Sequence, residues 1–266
     1  MPLPFSRRSF LAATAATAAL GLAPGSALAQ HGAPVIAAAS DLQFAVEEIA
    51  AAFSAETGKA VRLSFGSTGN FARQIREGAP FQIFMAADEQ FIFDLARDGF
   101  TRDKGDLYAI GRIVVTVPPG SPLAPDGTLD SLRTALAEGR ITRFAIANPD
   151  HAPYGMRARE ALQHAGLWDD IQPFLVLGEN VSQAAQFALS GNAEGGIVAL
   201  SLARAPQIAP RGSHGLIPEA FHAPLRQRMA LITGAGPVAE AFYAYIAAPP
   251  ARAIMARYGF ALPDGG

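Results

Sequence analysis

The chain has 266 residues, half of them hydrophobic, no cysteine, and a formal net charge of −2. The missing cysteine excludes disulfides, thiol catalysis and thiolate metal sites, and the small charge offers no electrostatic footprint for nucleic acid or an anionic membrane. The length suits one large or two ordinary domains, each with its own core.

The first thirty residues read as an export signal. Ser6-Arg7-Arg8-Ser9-Phe10-Leu11 is a twin-arginine pattern, an alanine-rich run follows to about Ala23, and Ala27-Leu28-Ala29 offers a small-x-small cleavage site. The run holds Gly21 and Pro24 and is shorter than the roughly 20 residues a membrane span needs. Residues 1–29 are therefore expected to be a cleaved Tat-type signal peptide. The rest is expected to be soluble and periplasmic.

Val35–Ala39 is a short apolar run that stops at Ser40-Asp41. Leu42, Val46, Ile49 and Phe53 then recur at helical spacing up to Gly58. Val61–Phe65 reads as a second strand closed by Gly66-Ser67-Thr68-Gly69, Asn70–Glu77 as a helix, and Phe81–Ala86 as a third strand. This rhythm predicts βαβ units and a largely parallel sheet. The pattern changes after Gly111. Ile113–Val117 reads as a strand and Pro118–Pro122 as a stiff connection. A second α/β set follows: strand Arg143–Ala147, helix Gly155–Ala165, strand Phe174–Leu177, helix Ser182–Leu189 and strand Gly196–Leu200. Beyond the turn-rich segment Ala205–Gly215, Met229–Thr233 reads as a returning strand, and helices are expected over Val238–Ala247 and Ala251–Tyr258. The expected fold class is α/β, with two lobes between which the chain crosses twice. Residues 30–111 would form the first part of lobe I, 112–227 lobe II, and 228–266 the return to lobe I.

The strand-to-helix turns carry the chemistry. Ser40-Asp41-Leu42-Gln43 has capping-box spacing, with serine at N-cap and glutamine at N3. Ser67-Thr68-Gly69-Asn70 opens the next helix with two hydroxyls and a glycine that permits close backbone approach. Helix N-termini present unpaired N–H groups and about half a positive charge, so they bind anions without a cationic side chain. Each turn alone is an ordinary cap. Two in succession at one edge of a parallel sheet would converge on one small volume and could form an oxyanion site.

Several stretches match a known family. Ala37-Ala38-Ala39-Ser40, Ser64-Phe65-Gly66-Ser67-Thr68-Gly69 with Ala72-Arg73-Gln74-Ile75, and Gly78-Ala79-Pro80 resemble the periplasmic molybdate-binding proteins of ABC importers. So do Ala86-Ala87-Asp88, Asn148–Gly155, Gly196-Ile197-Val198 and Arg257-Tyr258-Gly259-Phe260. The resemblance runs in order through the chain beyond the signal. It implies the type II periplasmic-binding-protein fold, a central cleft, and a dianion held by neutral donors. Carried over by position, it assigns Ser40, Ser67 and Thr68 to the ligand from lobe I, and the backbone N–H groups of Tyr154 and Val181 from lobe II.

The chain departs from that pattern at two positions. Some relatives carry a tyrosine after Gly-Ile-Val, where this chain has Ala199; the Tyr154 phenol could supply the missing donor. Asp41, directly after Ser40, is either a first-turn acid pointing to solvent, favourable to its helix dipole, or a charge that sharpens discrimination between anions. Arg73 is expected in a surface ion pair. The implied ligand is molybdate or tungstate, with no cofactor and no directly coordinated metal. The implied partner is a membrane permease, and the protein is expected to be a monomer that binds no nucleic acid. A type II binding protein for sulfate, another oxyanion, an organic acid or an iron complex is the alternative. An enzyme is not expected: the five histidines lack metal-ligand spacing, His151 reads as a loop residue, and no G-x-S-x-G elbow occurs.

Overall fold

The computed structural model describes residues 32–263, so the expected signal peptide lies outside the described residues. The first half builds β1 (Val35–Ala39), α1 (Gln43–Thr57), β2 (Arg62–Gly66), α2 (Thr68–Arg76), β3 (Phe81–Ala86), α3 (Glu89–Arg97) and β4 (Asp106–Gly111). It continues with β5 (Ile113–Val117), α4 (Asp130–Ala137), β6 (Phe144–Ala147), α5 (Pro153–His164), α6 (Trp168–Ile171), β7 (Leu175–Gly178) and α7 (Val181–Leu189). The chain then forms β8 (Gly195–Ala199), α8 (Leu200–Ala203), β9 (Ser213–Leu216), β10 (Leu225–Leu231), α9 (Pro237–Ile246) and α10 (Pro249–Arg257).

These strands make two five-stranded sheets, ordered β2-β1-β3-β10-β4 and β7-β6-β8-β5-β9. The chain leaves the first sheet at Gly111, enters the second at Ile113, and is back in the first from Leu225, which pairs with Gly111. This is the two-lobed α/β architecture with two crossings. Central strands such as β1 and β5 are buried along almost their whole length, which is why they read as unbroken apolar runs. Helix α1 stops at Gly58, whose φ of 69° is the left-handed cap that glycine adopts without strain. Phe53 from α1 meets Phe242 and Tyr245 of α9 edge-on, with ring centroids 5.2 and 5.4 Å apart, so the C-terminal segment is packed into the first lobe.

The sheets are mixed rather than largely parallel. In the first, β1, β2 and β3 run parallel, but β10 is antiparallel to both β3 and β4. In the second, β6 is parallel to β7 and β8, while β5 is antiparallel to β8 and β9. The crossings cause this, because each delivers a strand from the opposite direction. Strands β4 and β9 escaped the sequence reading. Ser-His-Gly-Leu in β9 has no strand propensity of its own; it is a strand because the free edge of β5 supplies the ladder.

Candidate functional site

The register of each parallel pair aligns two strand-to-helix turns. Ala39 lies opposite Gly66 at the ends of β1 and β2, so Ser40 and Ser67 emerge side by side. Ala147 lies opposite Gly178 at the ends of β6 and β7, so the starts of α5 and α7 do the same in the other lobe. Helix α5 begins with Pro153, whose fixed φ and missing N–H suit a first turn. Helix α7 is capped by Asn180, whose side chain accepts from Gln183 N–H at 3.1 Å.

These two edges meet. Ser182 of α7 donates its N–H to Ser40 Oγ at 3.3 Å and its hydroxyl to the Ser40 carbonyl at 2.8 Å. Gly69 N–H donates to the His151 carbonyl at 2.9 Å, and Ser67 Oγ lies 2.9 Å from His151 Nδ1. Asn70 donates its side-chain amide to Glu179. A Cβ at position 69 would sit 2.6 Å from the His151 carbonyl oxygen, so the approach requires glycine. Ser40, Ser67, Thr68, Tyr154 and Val181 are all buried along this seam.

Local roles differ from the expected ones at three positions. The capping box does not form: Ser40–Leu42 is a short 3-10 turn without a side-chain cap, and the Ser40 hydroxyl is turned across the seam instead. Ser67 does cap α2, accepting from Asn70 N–H at 3.4 Å, and Thr68 Oγ1 accepts from Ala87 N–H at 3.1 Å, tying α2 to the end of β3.

Asp41 is the second correction. Rather than pointing to solvent, it is 2 % exposed, and its Oδ2 accepts from the Tyr154 hydroxyl at 3.0 Å and from Gln227 Nε2 at 2.6 Å. Ser201 holds its carbonyl at 2.8 Å. Among the described residues, Oδ1 is fully buried without a partner. Burial pushes this carboxyl up to about 6, against the lowering effect of its bonds from Gln227, Tyr154 and the backbone.

Tyr154 is the third. Its phenol does not stand in for the donor missing at Ala199, because its proton is directed at Asp41 while Gln227 Nε2 donates to its oxygen at 3.0 Å. Burial and the adjacent carboxylate raise its pKa well above the ordinary phenol value. Ala199 closes β8 with its methyl group fully buried.

Sequence reasoning missed Gln227, Tyr108, Ser182 and the seam contact of His151. Tyr108 donates to Gln227 Oε1 at 2.8 Å, which fixes the amide so that its NH2 faces Asp41. The one visible signal was the lone amide between Arg226 and Arg228 in an otherwise alternating strand. Arg73 forms its exposed pair with Glu77 at 3.9 Å, as expected.

The arrangement joins hydroxyls and helix-start N–H groups from both lobes with no cation among the assigned residues. Such a set replaces the hydration shell of an anion with neutral donors. A family model described as bacterial extracellular solute-binding protein matches residues 34–261. The molybdate-binding protein ModA of Azotobacter vinelandii is 34 % identical over 247 residues, covering 92 % of this chain and 96 % of that protein. ModA of Escherichia coli K12 is 36 % identical over 254 residues, covering 93 % and 96 %. The solved structure of the Azotobacter vinelandii periplasmic molybdate-binding protein superposes with a TM-score of 0.76 at 32 % identity, over 87 % of this chain and all of that one.

Proposed function

The chain belongs to the bacterial extracellular solute-binding proteins and, within them, to the molybdate-binding proteins, and from this we propose that it captures molybdate or tungstate between its lobes and delivers it to the permease of an ABC importer. The observation that carries the reading is the meeting of Ser40 and Ser67 with the starts of α5 and α7 across the lobe seam. Ser40, Ser67 and Thr68 contribute hydroxyl and N–H donors from one lobe; Tyr154 and Val181 contribute backbone N–H groups from the other. Ala199 contributes no donor, and Asp41 lies directly beside the Ser40 donor. Among the described residues, lobe I is taken as 32–111 and 225–263 and lobe II as 112–224, the return starting at Leu225 rather than at 228 because β10 pairs with β4 from there.

Ligand held from both sides favours the closed arrangement, which is the state a permease can recognise. The larger tetrahedral oxyanions fit such a set, whereas sulfate and phosphate would leave donors unpaired at roughly 1–3 kcal/mol each. The protein works as a monomeric, non-catalytic periplasmic carrier exported by the twin-arginine route. One observation favours a second reading. A buried carboxylate at Asp41 could accept the proton of a monoprotonated oxyanion such as hydrogen phosphate.

Thermal unfolding of protein lacking residues 1–29, with molybdate, tungstate, sulfate and phosphate, tests both readings. Ligand at a hundredfold over its Kd adds about 2.7 kcal/mol, a rise of roughly 5–11 °C for a chain of this size. Rises with molybdate and tungstate alone support the first reading; a rise with phosphate alone supports the second.

A further inference from the structure

Beside the proposed donors lies a group that an anion-binding site would not be expected to contain. Asp41 follows Ser40 directly and is sealed at the lobe seam by Tyr154 from α5, Gln227 from β10 and Ser201 from α8. Its turn packs against α1, α7, α8 and β2. Helices α7 and α8 contain no charged residue, and Arg62 of β2 and Glu47 of α1 are exposed. Glu48 of α1 is held by Arg257 and Tyr258. Of the other charges on the surrounding elements, Arg226 and Arg228 on β10 pair with Glu89, Arg157 of α5 pairs with Asp88 and Glu160, Glu56 of α1 is exposed and accepts from Tyr245, and Arg159 and His164 lie further along α5, His164 exposed. The titratable groups that face the carboxyl are therefore the phenols of Tyr154 and Tyr108, which offer no positive charge.

Resting on the oxyanion reading, we propose that the cleft captures its dianion together with one proton, taken from solvent onto Oδ1 of Asp41. Oδ2 already accepts two hydrogen bonds, whereas Oδ1 is buried and without a partner among the described residues. A proton on Oδ1 costs no existing bond. It changes the group from an acceptor, which repels an oxyanion, into a neutral O–H donor like the serine hydroxyls beside it. The balance is simple: carboxylate, proton and dianion become carboxylic acid and dianion, with no other bond made or broken. Burial, opposed by the hydrogen bonds from Gln227, Tyr154 and the backbone, already holds the carboxyl at about 6. A dianion nearby disfavours its ionised form further, so protonation and capture reinforce each other.

Calorimetric titration of the protein with molybdate at pH 7.5, in one buffer of low and one of high ionisation enthalpy, counts the protons. The expected result is uptake of close to one proton per molybdate, and a Kd that rises about tenfold from pH 7 to pH 8. In Asp41→Asn the buffer dependence disappears. Equal heats in both buffers with molybdate binding intact overturn the proposal. So does uptake that persists in Asp41→Asn, which would put the proton elsewhere, or hydrogen phosphate binding more tightly than molybdate without uptake. Absence of binding by molybdate, tungstate, sulfate and phosphate alike would instead overturn the oxyanion function, and the proton coupling with it. Should the variant fail to fold, the two-buffer titration of the unaltered protein still decides.

Discussion

The hydroxyl of Tyr154 donates to Oδ2 of Asp41 over 3.0 Å, joining two side chains 113 positions apart in sequence and one in each lobe. Gln227 closes the triangle with bonds to both. A Cβ at Gly111 would lie 2.3 Å from that hydroxyl, so the cluster sits against the point where the chain first crosses between lobes. It therefore links the edge proposed to bind the anion to the crossing itself.

Replacing Tyr154 by Phe removes one of the two hydrogen bonds that Asp41 Oδ2 accepts, leaving only that from Gln227. Bonds to charged groups contribute about 1.5–3 kcal/mol, so this variant should lose that much stability at pH 8. The loss should shrink toward pH 4, where Asp41 is protonated. Urea unfolding at the two pH values reads the difference, and a pH-independent loss would mean that the phenol supports packing rather than the charge.

Asp41→Asn should behave oppositely. The carboxyl has a pKa of about 6 in the folded protein and 3.8 as its ordinary value, so the native state binds more protons between those limits. A folded-state value raised in this way contributes stability that is present at low pH and lost as pH rises toward 6 to 7. The stability of the asparagine variant relative to the natural protein should thus improve by about 2 kcal/mol between pH 4 and pH 7. No pH-dependent difference would show that Asp41 is hydrated in solution.

At the edge proposed to bind the anion, Ser40→Ala removes a hydroxyl while leaving the backbone in place. Loss of one buried donor costs about 1–3 kcal/mol, which is roughly a five- to 150-fold weaker Kd for molybdate by calorimetry. Ser67→Ala should act likewise and also cost α2 its cap, about 1 kcal/mol of stability. Unchanged affinity in both variants would remove the serines from the site.

Gly69→Ala tests closure. Alanine favours the helix itself, but its methyl would press on the His151 carbonyl from the opposite lobe. The lobes should remain folded by circular dichroism, while molybdate affinity falls by about tenfold or more, the equivalent of 1–3 kcal/mol of overpacking. If affinity is retained, the seam can close without the bond from Gly69 N–H to His151.

Much of this protein is written locally. The apolar runs of β1, β3 and β5, the helical spacing of α1 and the hydroxyls of the Gly-Ser-Thr-Gly turn are visible because burial on both sides of a strand, or on one stripe of a helix, leaves a periodic record. They were enough to read two α/β lobes and to single out Ser40, Ser67 and Thr68. Asp41 could not be read that way. An acid in a first turn is normally solvated, and only the approach of Tyr154, Gln227 and Ser201 from α5, β10 and α8 removes its water and raises its pKa. The same holds for the Tyr154 phenol, the His151 carbonyl and the edge strand β9. Sequence determined which turns carry the hydroxyls and helix-start N–H groups proposed to hold the anion; the meeting of distant segments decided where each hydrogen bond goes, because desolvation and hydrogen-bond direction depend on neighbours that no local pattern encodes.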